Sequence, residues 1–237
     1  MARGSPLTGL IERHLDRSGC LLEAGCGLGQ YVVLLREHGH RAVGADWSFE
    51  AVREGARAGG PMAVMDLRAL GVRDGSVSSY LSLGVVEHDA NGPDAIVREA
   101  ARVLKPGGTL LISVPYWNGV RRLLGPYLAR RGAHAAASGE QFYQYAFSRR
   151  EIRAFLGAYG FQVRSFHPYD PARLLRKAGR ALVRSGLPSE GRQGVSEGLA
   201  LRARPRGVAS KTMRGLLYTP AILRLLGHMI LAVAVRT

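Results

Sequence analysis

Between residues 20 and 114, short apolar runs alternate with amphipathic stretches of helical spacing. No other feature constrains the chain as strongly. Strands repeat every two residues and helices about every 3.6, and a βαβ succession needs both periods in turn. Cys20–Glu23, Arg41–Ala45, Met62–Met65, Val77–Leu83 and Thr109–Val114 read as five strands. Between them Gln30–His38 closes on Gly39, and Ser48 caps a helix that frays at Gly59-Gly60-Pro61. Pro93–Leu104 opens with Asp94 at its positive end and stops at Lys105-Pro106-Gly107-Gly108. Beyond Pro115 the pattern loosens, and Tyr116–Tyr145 shows no clear strand. Regularity returns at Ser148–Tyr159, where Ser148 and Glu151 have capping-box spacing, and at Phe161–Phe166, which alternates like a half-exposed strand. Leu216–Leu226 reads as helix and His228–Val235 as a final strand. The expected fold class is α/β: one domain over 1–237 with a doubly wound seven-stranded sheet, a helical cap insertion at 116–147 and a basic insertion at 170–215.

The first strand runs into Glu23-Ala24-Gly25-Cys26-Gly27-Leu28-Gly29, with glycines at alternate positions before a helix. Glycine tolerates positive φ and lets a ligand approach the backbone, and the helix amino end then offers its amides. Dinucleotide-binding loops want glycines at the first, third and sixth positions. Counted from Gly25 the sixth residue is Gln30, and from Gly27 it is Val32, so that class does not fit. Asp46 ends the second strand and Asp66 ends the third. A lone Asp at a strand end is ordinarily a turn former, but two at successive strand ends flank one cleft. Two acceptor oxygens suit a carboxylate to the vicinal hydroxyls of a ribose.

Leu21–Gly29 (LLEAGCGLG), Val43–Ser48 (VGADWS), Gly84–His88 (GVVEH) and Arg98–Val114 (REAARVLKPGGTLLISV) together resemble the core of class I S-adenosylmethionine-dependent methyltransferases. The likeness is greatest to the small-molecule group that includes quinone-pathway and natural-product O- and N-methyltransferases. It runs over roughly residues 10–168 and takes in the final strand. It implies a Rossmann-like methyltransferase sheet with S-adenosyl-L-methionine as cofactor. The glycine loop, with Glu23, Gly25, Cys26, Gly27 and Gly29, would wrap the amino-acid end, and Asp46 would bind ribose. Asp66 would accept from the adenine amine, with Leu67 against the ring. Tyr31, Trp47, Leu83 and Gly84 complete the expected cofactor set.

Methyl transfer is an in-line displacement at a sulfonium carbon, so the protein positions the nucleophile and deprotonates it where needed. His88 is the candidate base, since imidazole titrates near neutrality. The competing reading makes Glu87-His88 a structural pair that shapes the loop. The acceptor is expected to be a small molecule methylated at oxygen or nitrogen, lined by His88, Tyr116, Trp117 and Tyr143. Amino-methylating DNA enzymes carry an Asp/Asn-Pro-Pro-aromatic signature after the fourth strand, where this chain has Ser82-Leu83-Gly84-Val85-Val86. Carbon-5 enzymes need a catalytic cysteine, and Cys20 and Cys26 read as reduced packing residues, so no stable nucleic-acid partner is expected.

Charge enters last. The chain carries +15, and its cations are overwhelmingly Arg beside many Ala and Gly, as a GC-rich genome would produce. Yet 171–215 holds eleven cations against two carboxylates, which is uneven. That stretch suits an anionic membrane, RNA or a phosphate-bearing substrate, or is a solvated loop. The alternatives to a small-molecule enzyme are therefore an RNA- or lipid-associated methyltransferase and a non-catalytic cofactor-binding protein. With no amino-terminal signal peptide and no uninterrupted apolar span, a cytoplasmic protein is expected, peripheral to the membrane's inner face if the basic stretch acts there.

Overall fold

The computed structural model describes residues 5–123, 146–171 and 217–237. Its elements are α1 (Pro6–Glu12), β1 (Cys20–Ala24), α2 (Gln30–Glu37), β2 (Arg41–Asp46), α3 (Phe49–Arg57), β3 (Met62–Val64), β4 (Val77–Leu83), α4 (Asp94–Val103), β5 (Leu104–Pro115), α5 (Gly119–Leu123), α6 (Arg149–Ala158), β6 (Phe161–Tyr169), α7 (Pro220–Leu226) and β7 (Met229–Arg236). Local chemistry sets several boundaries. Ser48 Oγ accepts from Ala51 N at 3.2 Å to start α3. Ser148 and Glu151 close the expected capping box, the Ser148 amide donating to Glu151 Oε2 at 2.7 Å.

The seven strands lie in the order β3-β2-β1-β4-β5-β7-β6, parallel except for β7, which is antiparallel to both β5 and β6. The order reverses between β1 and β4, and in open α/β sheets the crevice at the strands' carboxyl ends falls at such a point. Apolar residues cover both faces: Leu22, Ile112, Ile152 and Ile230 belong to one buried cluster, and Leu21, Val32, Leu111 and Leu231 to the other. This two-sided burial explains the near-continuous apolar runs in the sequence.

Two features differ from the sequence reading. Lys105-Pro106-Gly107-Gly108 does not precede β5 but lies within it. Pairing passes from Val77↔Leu104 to Ser79↔Thr109, so the four residues bulge out of a strand already begun. The second is α1, which the polar start of the chain concealed. Its Ser5 cap and Pro6 at the first position fix it, and Ile11 is fully buried. Among the described residues no helix is long and apolar enough to cross a membrane. The cap insertion is described only at its ends, and almost all of 170–215 lies outside the described residues.

Candidate active site

The three loop glycines all have positive φ, at +78°, +53° and +64°, but their surroundings differ. A Cβ on Gly25 would sit 2.3 Å from Val85 Cγ2, and one on Gly29 would sit 2.5 Å from Met62 Sδ. Those two glycines let the loop lie directly on the tip of β4 and on β3. A Cβ on Gly27 would meet nothing within 4 Å, so its requirement is conformational. Cys26 packs its Sγ 3.6 Å from Met62 Sδ, and burial raises its thiol pKa to about 12, which makes it an inert packing group.

Two carboxylates hold the loop. Glu23 is 5% exposed and accepts from Val32 N at 3.0 Å. Helix α2 begins at Gly29 without a side-chain cap, so Glu23, reaching from β1, satisfies a first-turn amide. Burial is the main reason its pKa rises to about 8, with Asp46 adding to the rise. Asp46 is 7% exposed, and both its oxygens already accept backbone amides: Oδ2 from Gly27 at 2.7 Å and Oδ1 from Ser48 at 3.0 Å. The residue expected to bind ribose therefore also ties the loop to β2. Each oxygen keeps a further lone pair for a ligand.

Around these groups lie two cavities that share Gly25. The larger, about 910 Å³, is lined by Asp46, Trp47, Asp66, Leu67, Gly84 and His88 among others. The smaller, about 340 Å³, is lined by Glu23, Cys26, Leu28, Gln30, Tyr31 and Leu83. Trp47 stands 82% exposed at the mouth of the larger lobe, beside the buried Asp46. Asp66 is half exposed and clamped by Arg68, whose Nε and Nη2 donate at 3.0 and 2.9 Å. Those bonds lower its pKa, so an adenine amine would meet an already paired carboxylate.

The residues expected to meet the acceptor are less uniform. Glu87 and His88, paired in the sequence reading, part company on a 3-10 turn: His88 is exposed and lines the larger lobe, whereas Glu87 turns inward, 2% exposed. Among the described residues its Oε2 has no hydrogen-bond partner, and burial raises its pKa to about 6. Tyr116 and Trp117 do not line the cavities described here. Tyr116 pairs with Phe147 and packs on the core, with the Arg149 guanidinium 5.8 Å from its ring centre, and Trp117 N donates to Phe147 O at 2.8 Å. Tyr143 lies outside the described residues. Sequence reasoning missed Tyr169, whose hydroxyl is 2.5 Å from Ser113 Oγ and whose pKa burial raises strongly. No signal marked it, because the strand expected there stops at Phe166 and the observed one runs on to Tyr169.

Comparison with known proteins bears on this geometry. The profile of the family described as a methyltransferase domain matches residues 22–112. A probable S-adenosylmethionine-dependent methyltransferase of Mycolicibacterium smegmatis is 36% identical over 98 residues, which are 40% of this chain and 37% of that protein. A ubiquinone biosynthesis O-methyltransferase of Xanthomonas oryzae pv. oryzae is 32% identical over 111 residues, 44% of this chain and 46% of the relative. The chain thus spans less than half the length of these curated relatives. The solved geranyl diphosphate C-methyltransferase of Streptomyces coelicolor, in complex with S-adenosyl-L-homocysteine, superposes with a TM-score of 0.62 at 18% identity, covering 98% of this chain and 80% of that one. The fold is therefore that of the class I enzymes.

Proposed function

We propose that this chain, whose residues 22–112 match the methyltransferase-domain family, binds S-adenosyl-L-methionine across the two lobes and transfers its methyl group to a small acceptor. The observation that carries this reading is the meeting of the lobes at Gly25, with Glu23 in one and Asp46 in the other. The residues fit the cofactor. A hydroxyl-bearing sugar suits the remaining lone pairs of Asp46, the exposed Trp47 ring and Leu67 suit the faces of a purine, and an amino-acid end suits the lobe containing Glu23 and Gln30. When bound, S-adenosyl-L-methionine supplies a methyl group activated by its sulfonium.

The chain's own work is then positional. Asp46 holds Gly27 and Ser48 so that the loop keeps its shape before the ligand arrives. Leu83 and Gly84, at the tip of β4, lie one in each lobe. His88, facing the larger lobe, takes the acceptor's proton at its imidazole. Oxygen or nitrogen is the proposed site of methylation, a reading that the quinone O-methyltransferase relative supports for oxygen. The test is incubation of the chain with methyl-labelled cofactor and fractionated cell extract. Label in a small metabolite is expected. Label in RNA or lipid instead would transfer the assignment to the polyanion-associated alternative, and cofactor binding without any labelled product would favour a non-catalytic protein.

A further inference from the structure

A third cavity, of about 360 Å³, opens at the carboxyl end of β6, between α1 and α7. Leu7 and Leu10 of α1, Phe166 and Tyr169 of β6 and Leu223 of α7 give it an apolar lining. Arg13, Arg149 and Arg224 also line it, and among the described residues no carboxylate does. None of these three arginines forms an ion pair with a described carboxylate, unlike Arg57, Arg68 and Arg102 elsewhere on the surface. Arg149 is the most telling of them. Its guanidinium lies 5.7 Å from the Phe166 ring centre and 5.8 Å from that of Tyr116, which holds the planar group in place. Its Nε is shielded from solvent and has no hydrogen-bond partner among the described residues. His167 adds a polar edge but little charge, because burial, then His14 and Arg13, lower its pKa.

This cavity is joined to the proposed methyl-transfer site through a short bonded path. Tyr169 lines it, and the Tyr169 hydroxyl meets Ser113 Oγ on β5. Ser113 is the register partner of Leu83, which lines the smaller cofactor lobe, and its carbonyl accepts from the Gly84 amide at 2.9 Å. In the strand order β7 and β5 lie between β6 and β4, and the Tyr169 side chain crosses β7 to reach Ser113 beside Leu83. Helix α1 forms a second link, since its Ser5 and Thr8 engage Tyr31, which lines the smaller lobe.

We infer that this cavity seats the methyl acceptor, and that the acceptor bears a carboxylate or phosphate on an apolar body. The arginines hold the anion, and the apolar walls orient the body so that its nucleophile passes Tyr169 toward Leu83 and Gly84. Guanidinium groups grip either anion in a bidentate manner and stay charged at any physiological pH. The inference rests on the methyl-transfer reading above, so its test measures the two separately.

The chain is first titrated with S-adenosylhomocysteine by calorimetry, then the loaded chain with 4-hydroxybenzoate, phenyl phosphate and the uncharged 4-hydroxybenzamide. Arginine Nε–Hε resonances are followed by NMR. At least one of the anions should move the Arg149 resonance and bind about tenfold more tightly than the amide, and Arg149→Gln and Arg224→Gln should each weaken that anion about tenfold. S-adenosylhomocysteine affinity should stay unchanged in both variants, which also reports that they fold. The tighter anion identifies the acceptor's charged group. The inference is overturned if the amide binds as well as the anions, if neither anion moves the Arg149 resonance, or if both variants bind the anion normally. A chain that binds the anions but not S-adenosylhomocysteine would overturn the methyl-transfer reading and with it the cavity's role as an acceptor seat.

Discussion

The two sides of the strand-tip crevice are built on different plans. On the β1–β2–β3 side, neighbouring residues do the work: Glu23 caps α2, and Asp46 binds the amides of Gly27 and Ser48. On the β5–β6–β7 side the groups come from α1, β5, β6, α6 and α7, and Ser113 meets Tyr169 across 56 residues. A pocket for an invariant ligand can be a rigid loop cut to one shape. A pocket for a ligand that differs between enzymes is assembled from parts that can change independently. The side proposed to hold the donor should therefore fail as a unit when one residue is altered, and the side proposed to hold the acceptor should fail piecemeal.

The largest effect expected is at Gly25. Gly25→Ala forces a Cβ into Val85 at positive φ and should cost about 3 kcal/mol in chemical denaturation, whereas Gly27→Ala, with open space around it, should cost about 1 kcal/mol. Equal losses would mean that the loop does not lie on β4 as described. Next in size is His88→Ala, expected to slow turnover about a hundredfold with cofactor affinity unchanged. A variant that turns over at the parental rate would remove His88 as the base and return Glu87-His88 to a structural pair.

Asp46→Ala should weaken S-adenosylhomocysteine at least about tenfold by calorimetry, since it deprives two backbone amides as well as the ligand. Asp46→Asn, which keeps one acceptor oxygen, should lie between the two. Unchanged affinity in Asp46→Ala would sink the ribose assignment.

The smallest effect is a pH dependence at Glu23. Its pKa of about 8 in the folded chain is above the usual carboxylate value, so the folded state holds a proton that the unfolded chain has lost. The resulting stabilisation is complete at acid pH and lost as the pH rises toward 8. The ligand-free Tm should accordingly be a few degrees lower at pH 8 than at pH 6 in the wild type, an interval that Glu23→Gln should flatten. If the lobe holding Glu23 takes the cofactor's ammonium group, affinity should rise over the same interval, because only the ionised carboxylate pairs with a cation. A pH-independent difference between wild type and Glu23→Gln would mean that Glu23 stays ionised in the fold.

How much of this was legible in advance follows the same division. Strand positions were readable because two-sided burial demands apolar runs, as in Val77–Leu83, whose predicted and observed limits coincide. The carboxylates at the strand ends were readable because a single motif places them. Their partners were not: nothing in the order of residues says that Asp46 has two amides to hold, or that Arg68 clamps Asp66. Helix α1 was missed because seven residues in a polar context carry little periodicity. The arginine-lined cavity was missed because Arg13, Arg149 and Arg224 are unremarkable in a chain this rich in Arg until folding sets them around one space.

By itself, the sequence determined the sheet, the glycine loop and the class of cofactor, since each depends on local periodicity or on residues within one turn of each other. Only the tertiary structure decided which loop glycine answers to packing and which to conformation, that Glu23 is a helix cap, and that Glu87 turns inward while His88 faces the cleft. It also decided where three arginines without an ion pair among the described residues meet. The physical reason is that burial, desolvation and clustered charge are properties of surroundings, and surroundings drawn from distant parts of the chain exist only once it has folded.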